Sequence, residues 1–146
     1  ISALPFTIGK RAGFRPVRTM MGSLVMLTDG PNDLSDGSDQ PIATFGASFV
    51  EPPPAATRDA FARQAIMRLP RMTDLRIEST DATDGVRHEI IATARTAAGA
   101  DIFVMQTFLF GQKSYVRMVA IAPLAQRDAD LVRFRELSNS TVLKQP

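Results

Sequence analysis

The sequence predicts an α+β domain in which an antiparallel sheet of about six to seven strands is layered between helices. Three observations point there. Four strand-like runs in the second half follow one another across turns too short for a parallel crossover. Two of those runs, residues 102–110 and 115–122, are apolar on both faces, as strands covered on both sides are. Two segments with apolar residues at helical spacing are available to cover them.

In chain order, residues 14–21 and 24–28 read as strands paired across Gly22-Ser23, a dipeptide suited to a type II′ hairpin turn. Residues 29–40, dense in Asp, Gly, Ser and Asn, read as a loop. Residues 42–50 alternate, with Ala43, Phe45, Ala47 and Phe49 on one face. Pro52-Pro53-Pro54 then interrupts the chain. Thr57 is placed to cap a helix whose Phe61, Ala62, Ala65, Ile66 and Leu69 share one face and which Pro70 ends. Residues 74–81 set Leu75 and Ile77 opposite Arg76 and Glu78, and Asp84-Gly85 offers a type I′ turn. The next run, 86–96, places Val86, His88, Ile90, Ala92 and Ala94 on one face. Turns at Ala98-Gly99 and Gly111-Gln112-Lys113 separate it from the two apolar strands. A second helix is expected over residues 127–138, with Asp128 and Asp130 in its first turn and Leu131, Phe134 and Leu137 facing inward. A short strand at 141–143 closes the chain.

At 146 residues a single domain spanning 1–146 is expected, with about 68–70% of the unfolded surface buried on folding. The chain has no cysteine, which excludes disulfides, zinc-thiolate sites, iron–sulfur clusters and thiol catalysis. Its basic residues are fourteen Arg and three Lys, spread along the sequence without a run of like charge. A nucleic-acid binder gathers its cations into a stripe or patch, so nucleic acid is not the expected partner. No apolar run approaches the roughly 20 residues that span a bilayer. The sequence opens on Ile1, as a processed exported protein or a trimmed one does. A periplasmic or secreted location is the expectation, with the cytoplasm as the other reading.

Groups able to carry reactive chemistry are few in this sequence. His88 is the only histidine, so any serine–histidine–acid triad depends on it and no multi-histidine metal site exists. It shares a face with Val86 and Ile90, which makes it a packed, structural histidine. No nucleophile elbow, phosphate loop, dinucleotide fingerprint or zinc-protease motif occurs. The loop from Asp29 to Asp39 has oxygen ligands suited to calcium, but Pro31 at the third and Gln40 at the twelfth position break the EF-hand spacing, so a solvated turn is expected. The four glutamates, Glu51, Glu78, Glu89 and Glu136, read as exposed. Arg68 and Arg71, at the end of the first helix, suit the helix dipole. No cofactor and no metal are expected.

The ordered elements, with Tyr115-Val116-Arg117-Met118-Val119-Ala120 and then Phe134-Arg135-Glu136-Leu137-Ser138-Asn139-Ser140, resemble the PsbP-like family over most of the chain. That resemblance implies an antiparallel sheet between helices and a role in binding or assembly in place of catalysis, with no family catalytic residue to carry over. The chain departs from lipoprotein relatives in having no cysteine, which counts against a lipid anchor on these residues. The leading expectation is therefore a non-enzymatic, exported binding or assembly module that recognises another protein through a hairpin or sheet edge. The candidate contact set is Phe14, Arg15, Arg18, Met20 and Met21, where adaptable thioethers and an aromatic ring stand beside guanidinium donors. The alternative is a small hydrolase or isomerase using His88 with Glu89 or Asp101.

Overall fold

The computed structural model describes residues 5–20, 23–33, 35–82 and 85–144. Its strands are β1 (Phe6–Ile8), β2 (Arg15–Met20), β3 (Leu24–Thr28), β4 (Ile42–Ser48), β5 (Met72–Asp81), β6 (Arg87–Thr96), β7 (Asp101–Phe110), β8 (Tyr115–Pro123) and β9 (Thr141–Leu143). Its helices are α1 (Arg58–Met67) and α2 (Arg127–Asn139). Seven strands form one antiparallel sheet in the order β2-β3-β4-β8-β7-β6-β5, and β1 pairs with β9 in a separate two-stranded sheet. The four-strand meander holds, with Ile91 opposite Met105 and Met105 opposite Ala120. The first half joins it where β4 pairs with β8, Phe45 opposite Met118.

The alternation along β7 shows how the layers are built. Phe103, Met105 and Leu109 enter one buried cluster with Phe134 and Leu137 of α2. Ile102, Val104, Phe108 and Phe110 enter another with Ala62 and Ile66 of α1. Successive strand residues face opposite sides, so the two helices lie on opposite faces of the sheet. Both are entered the same way. Pro54 and Pro123 lead into short 3₁₀ turns, Ala55–Thr57 and Leu124–Gln126, that run into the helices.

Four expectations change. The hydroxyl of Thr57 donates to the Pro54 carbonyl at 2.9 Å and makes no side-chain cap of α1, because the 3₁₀ turn points it backward. Val86 is exposed: it lies just before β6, and although its carbonyl accepts from the Phe110 amide at 2.8 Å, its side chain stays in solvent. Glu89 is not exposed but half-buried beneath α2, against Arg135. The loop after β3 is not merely solvated. Gln40 is buried and donates to Thr28 Oγ1 at 2.7 Å and to the Asn32 carbonyl at 2.6 Å. Gly37, at φ 90°, lies so close to the sheet that a Cβ there would come within 2.3 Å of Ile121 Cγ2. Strand β1 was not anticipated. The hairpin turn residue Gly22, and Asp84 of the second turn, lie outside the described residues.

Candidate protein-binding surface

His88 points from β6 toward α1 and is 2% exposed. Its Nε2 lies 2.8 Å from Asp59 Oδ1, and Arg63 Nε donates to the other oxygen of the same carboxylate at 2.8 Å. The His88 contact, then Arg63, holds the Asp59 carboxyl below the ordinary aspartate range. A carboxylate only accepts, so the hydrogen sits on Nε2. That leaves Nδ1, which is buried and has no hydrogen-bond partner among the described residues. General acid–base catalysis requires a ring nitrogen within reach of substrate, and here one nitrogen is engaged and the other enclosed. The carboxylates proposed for an enzymatic role are elsewhere. Glu89, next along the strand, faces the opposite side and meets Arg135 of α2, while Asp101 pairs with Arg95 at the far end of β6. The partner is Asp59, which only the crossing of α1 over β6 brings into range. Among the described residues no three His, Cys, Asp or Glu side chains gather closely enough to hold a metal ion.

The hairpin candidates separate. Phe14 is 4% exposed and packs on Phe134 at 5.8 Å between ring centroids, with the Arg133 guanidinium 4.4 Å above its ring. It is a core residue, because α2 covers the β2 end where it lies. Arg15 is exposed but engaged, donating to Asp33 Oδ1 and the Gly30 carbonyl at 2.8 Å each. Arg18 is exposed, next to exposed Thr19. Met20 ends β2, and Met21 lies outside the described residues. Met26 is half-buried. Strand β2 is the outer strand of the main sheet and pairs with β3 alone among the described strands. Its single irregularity falls between Pro16 and Arg18, so Arg18, Thr19 and Met20 continue in regular register.

At the same end of the sheet lies a feature the sequence reading missed. The Ser23 carbonyl at the hairpin tip accepts from the Ala47 amide at 2.9 Å, so the tip adjoins the end of β4. There Phe49 is 68% and Val50 61% exposed. The expected alternation put Phe49 on one face with Phe45, which is buried, but β4 ends at Ser48 on the approach to the proline run. A groove of about 460 Å³ opens beside Phe49, lined by Pro5, the turn from Gly111 to Ser114, Leu143 and Lys144. The signal that could have found it is the pair Phe49-Val50 set directly before a strand-breaking proline segment.

Together these features define a layered α/β/α fold with exposed apolar residues at one end of the sheet and no accessible catalytic constellation among the described residues. No protein-family model and no curated protein sequence matches the chain. Solved structures do. The Ran-binding protein Mog1p of Saccharomyces cerevisiae superposes with a TM-score of 0.67 at 11% identity, over 95% of this chain and 90% of that one. LpqN of Mycobacterium tuberculosis, described as involved in cell envelope biogenesis, gives 0.69 at 12% identity, over 96% and 83%. The cyanobacterial PsbP of Synechocystis gives 0.53 at 9% identity, over 90% and 93%. The likeness to the PsbP-like family is thus one of fold, across nearly the whole chain.

Proposed function

We propose that this chain is a non-enzymatic, exported protein-binding module that recognises its partner through the open edge of β2 and the adjoining hairpin tip, with Arg18, Met20 and Met21 as contacts. The observation that carries the reading is the regular segment Arg18–Met20 on an outer strand, with Arg18 and Thr19 exposed. Main-chain pairing to such an edge supplies affinity, and side chains at alternate positions supply selectivity. The opposite edge suits this less. Strand β5 is irregular at two places, between Thr73 and Arg76 and between Ile77 and Ser79, and Asp74 takes φ 55°. Bulges of that kind turn an edge away from further strands. The class of function agrees with what two fold neighbours are called, one Ran-binding and one a cell-envelope protein.

The test is site-specific photo-crosslinking in cells of the source, with the photoreactive residue at Thr19 or, as a control, at Thr80 on β5. A discrete crosslinked partner at Thr19, absent at Thr80, weakened by Arg18→Glu and recovered outside the cytoplasm, is the expected result. Equal crosslinking at both edges, or a product confined to the cytoplasm, would count against the surface or the location respectively.

A further inference from the structure

Strand β1 is open on one side, and its pairing with β9 fixes which backbone groups face that side. The Lys144 amide donates to the Pro5 carbonyl at 2.8 Å and the Gly9 amide to the Ser140 carbonyl at 2.9 Å, while Phe6 stands opposite Leu143 and Ile8 opposite Thr141. Hydrogen-bonded and non-hydrogen-bonded pairs alternate along an antiparallel ladder. Thr7 therefore bonds to β9, and the amides and carbonyls of Phe6 and Ile8 point away from it. Among the described residues nothing pairs with those groups. The far edge of β9 differs, since its Thr141 carbonyl accepts from Arg87 Nη2 at 3.0 Å. Phe6 stacks on Phe45 of β4 at 6.0 Å between ring centroids, which sets β1 over the sheet next to β3. A cleft of about 180 Å³ lies there, lined by Phe6 and Ile8 on one side and by Pro16 of β2 and Val25 and Leu27 of β3 on the other. A void of roughly 150 Å³ holds a benzene-sized group, so the cleft takes one apolar side chain. Arg11, in the turn after β1, is the one charged group among the described residues that line it, and it is exposed and has no ion pair. That turn is tied down by the Phe14 amide, which donates to the Arg11 carbonyl at 2.8 Å, and by Arg133 Nε, which donates to the Ala12 carbonyl at 3.0 Å.

We propose that the open edge of β1 is a second main-chain docking site, which takes an extended segment of a protein partner as a third strand beside Phe6–Ile8. One apolar side chain of that segment sinks into the cleft, and a carboxylate next to it meets Arg11. The proposal rests on the chain being a protein-binding module, but not on the β2 edge. The unpaired backbone groups decide for a polypeptide, because a strand presents donors and acceptors at the same two-residue spacing as Phe6 and Ile8. The cleft decides for an apolar side chain at one position, since the added strand would lie over Pro16, Val25 and Leu27. Charge complementarity decides for the acidic neighbour, because Arg11 lines the cleft with no described carboxylate beside it.

The test is selection from a random dodecapeptide display library on the purified chain, followed by fluorescence anisotropy of the enriched peptides and of forms N-methylated at single positions. Enriched sequences are expected to carry Asp or Glu close to a Val, Leu or Ile, and to bind more weakly as salt is raised. N-methylation should weaken binding about tenfold at alternate residues, those whose amides face β1, and have little effect at the residues between them. These changes leave the protein untouched, so no loss of fold can mimic them. By amide hydrogen exchange, Phe6 and Ile8 should gain protection when the peptide binds, while Thr7, already paired with β9, changes little. Arg11→Glu should weaken binding about tenfold, and Arg18→Glu should leave it unchanged. No enrichment, indifference to N-methylation, or binding unaffected by Arg11→Glu would overturn the proposal and leave the β2-edge reading standing. Protection gained at Arg18 and Thr19 in place of Phe6 and Ile8 would overturn it in favour of the β2 edge. Self-association of the chain that the peptide competes away would assign the β1 edge to a second copy and overturn it as well.

Discussion

At the scale of single residues, His88 shows how far strand periodicity reaches. Its place on the α1 face follows from alternation with Ile90 and Ala92, which the sequence displays. Its tie to Asp59 does not, because Asp59 comes from a helix 29 positions earlier and only packing chooses the partner. His88→Ala removes a buried ring and its contact with the carboxylate, and should lower stability at neutral pH by about 1–3 kcal/mol. The sign of the pH effect follows from the Asp59 carboxyl, which is held below its ordinary value of 3.8 chiefly by the His88 contact and then by Arg63. A depressed carboxyl contributes stability that is present above 3.8 and is lost as the pH falls below it through the lower native value. In His88→Ala the carboxyl titrates closer to 3.8, so the loss of stability on acidification should be shallower than in the parent. Thermal melts of both proteins from pH 7 down to pH 3 check this; parallel curves would show that His88 does not govern Asp59. Phe49 is the opposite case. Alternation was carried one step past the end of β4, and with no neighbouring strand to cover it the ring stands in solvent.

At the scale of elements, α1 is held to the sheet by polar contacts as well as by Ala62 and Ile66. Gln106, fully buried on β7, donates to the Ala62 carbonyl at 2.8 Å and accepts from Arg117 Nη2 at 2.6 Å and Nε at 3.0 Å. Arg117 Nη2 also donates to the Ala65 carbonyl at 3.0 Å, and the guanidinium lies 5.8 Å from the centre of the Phe108 ring. Amide oxygens and the negative end of α1 thus partner a cation that burial pulls below its ordinary pKa. Gln106→Leu leaves the cation with the Ala65 carbonyl alone and takes a donor from the Ala62 carbonyl, and should cost about 1–3 kcal/mol, whereas adding Arg117→Met should recover part of the loss. Chemical denaturation of the two single variants and the double variant gives the coupling; strict additivity would mean the three groups do not act as a unit. The sequence showed α1 and α2 well, because their inward residues recur at helical spacing. It showed the meander well, because Gly99 and the turn at Gly111 punctuate it. It did not show β1, since three residues, Phe6–Ile8, are too few to display a period, and their pairing with β9 spans almost the entire chain. Nor did it show that residues 29–40 pack, because the close approach of Gly37 to Ile121 depends on where β8 lies.

At the scale of the whole molecule, the sheet order places strands of very different security side by side. Strand β7 has β6 on one side and β8 on the other, and every residue after Asp101 is buried. Opening it requires separating both clusters and both helices at once. Strands β2 and β5 each have one neighbour, and each ladder is interrupted. The two halves of the sheet are joined through β4 and β8, seven pairs from Ile42↔Ile121 to Ser48↔Tyr115, and the cluster under α2 runs across that junction from Val25 and Leu27 to Phe103. A shared core of this kind makes the halves one cooperative unit, while local opening is left to the margins. Native-state hydrogen exchange should therefore rank the amides of β7 and β8 as the slowest, exchanging only with global unfolding and with the full denaturant dependence. Those of Arg18 and Thr19 on β2, and of the exposed half of β5, should exchange by small openings that denaturant barely affects. Such an edge can offer its backbone to a partner strand without disturbing the core. Protection of β2 equal to that of β7 would show an edge too closed to pair, and exchange of β2–β4 as a block separate from β5–β8 would show that the β4–β8 junction does not bind the halves together.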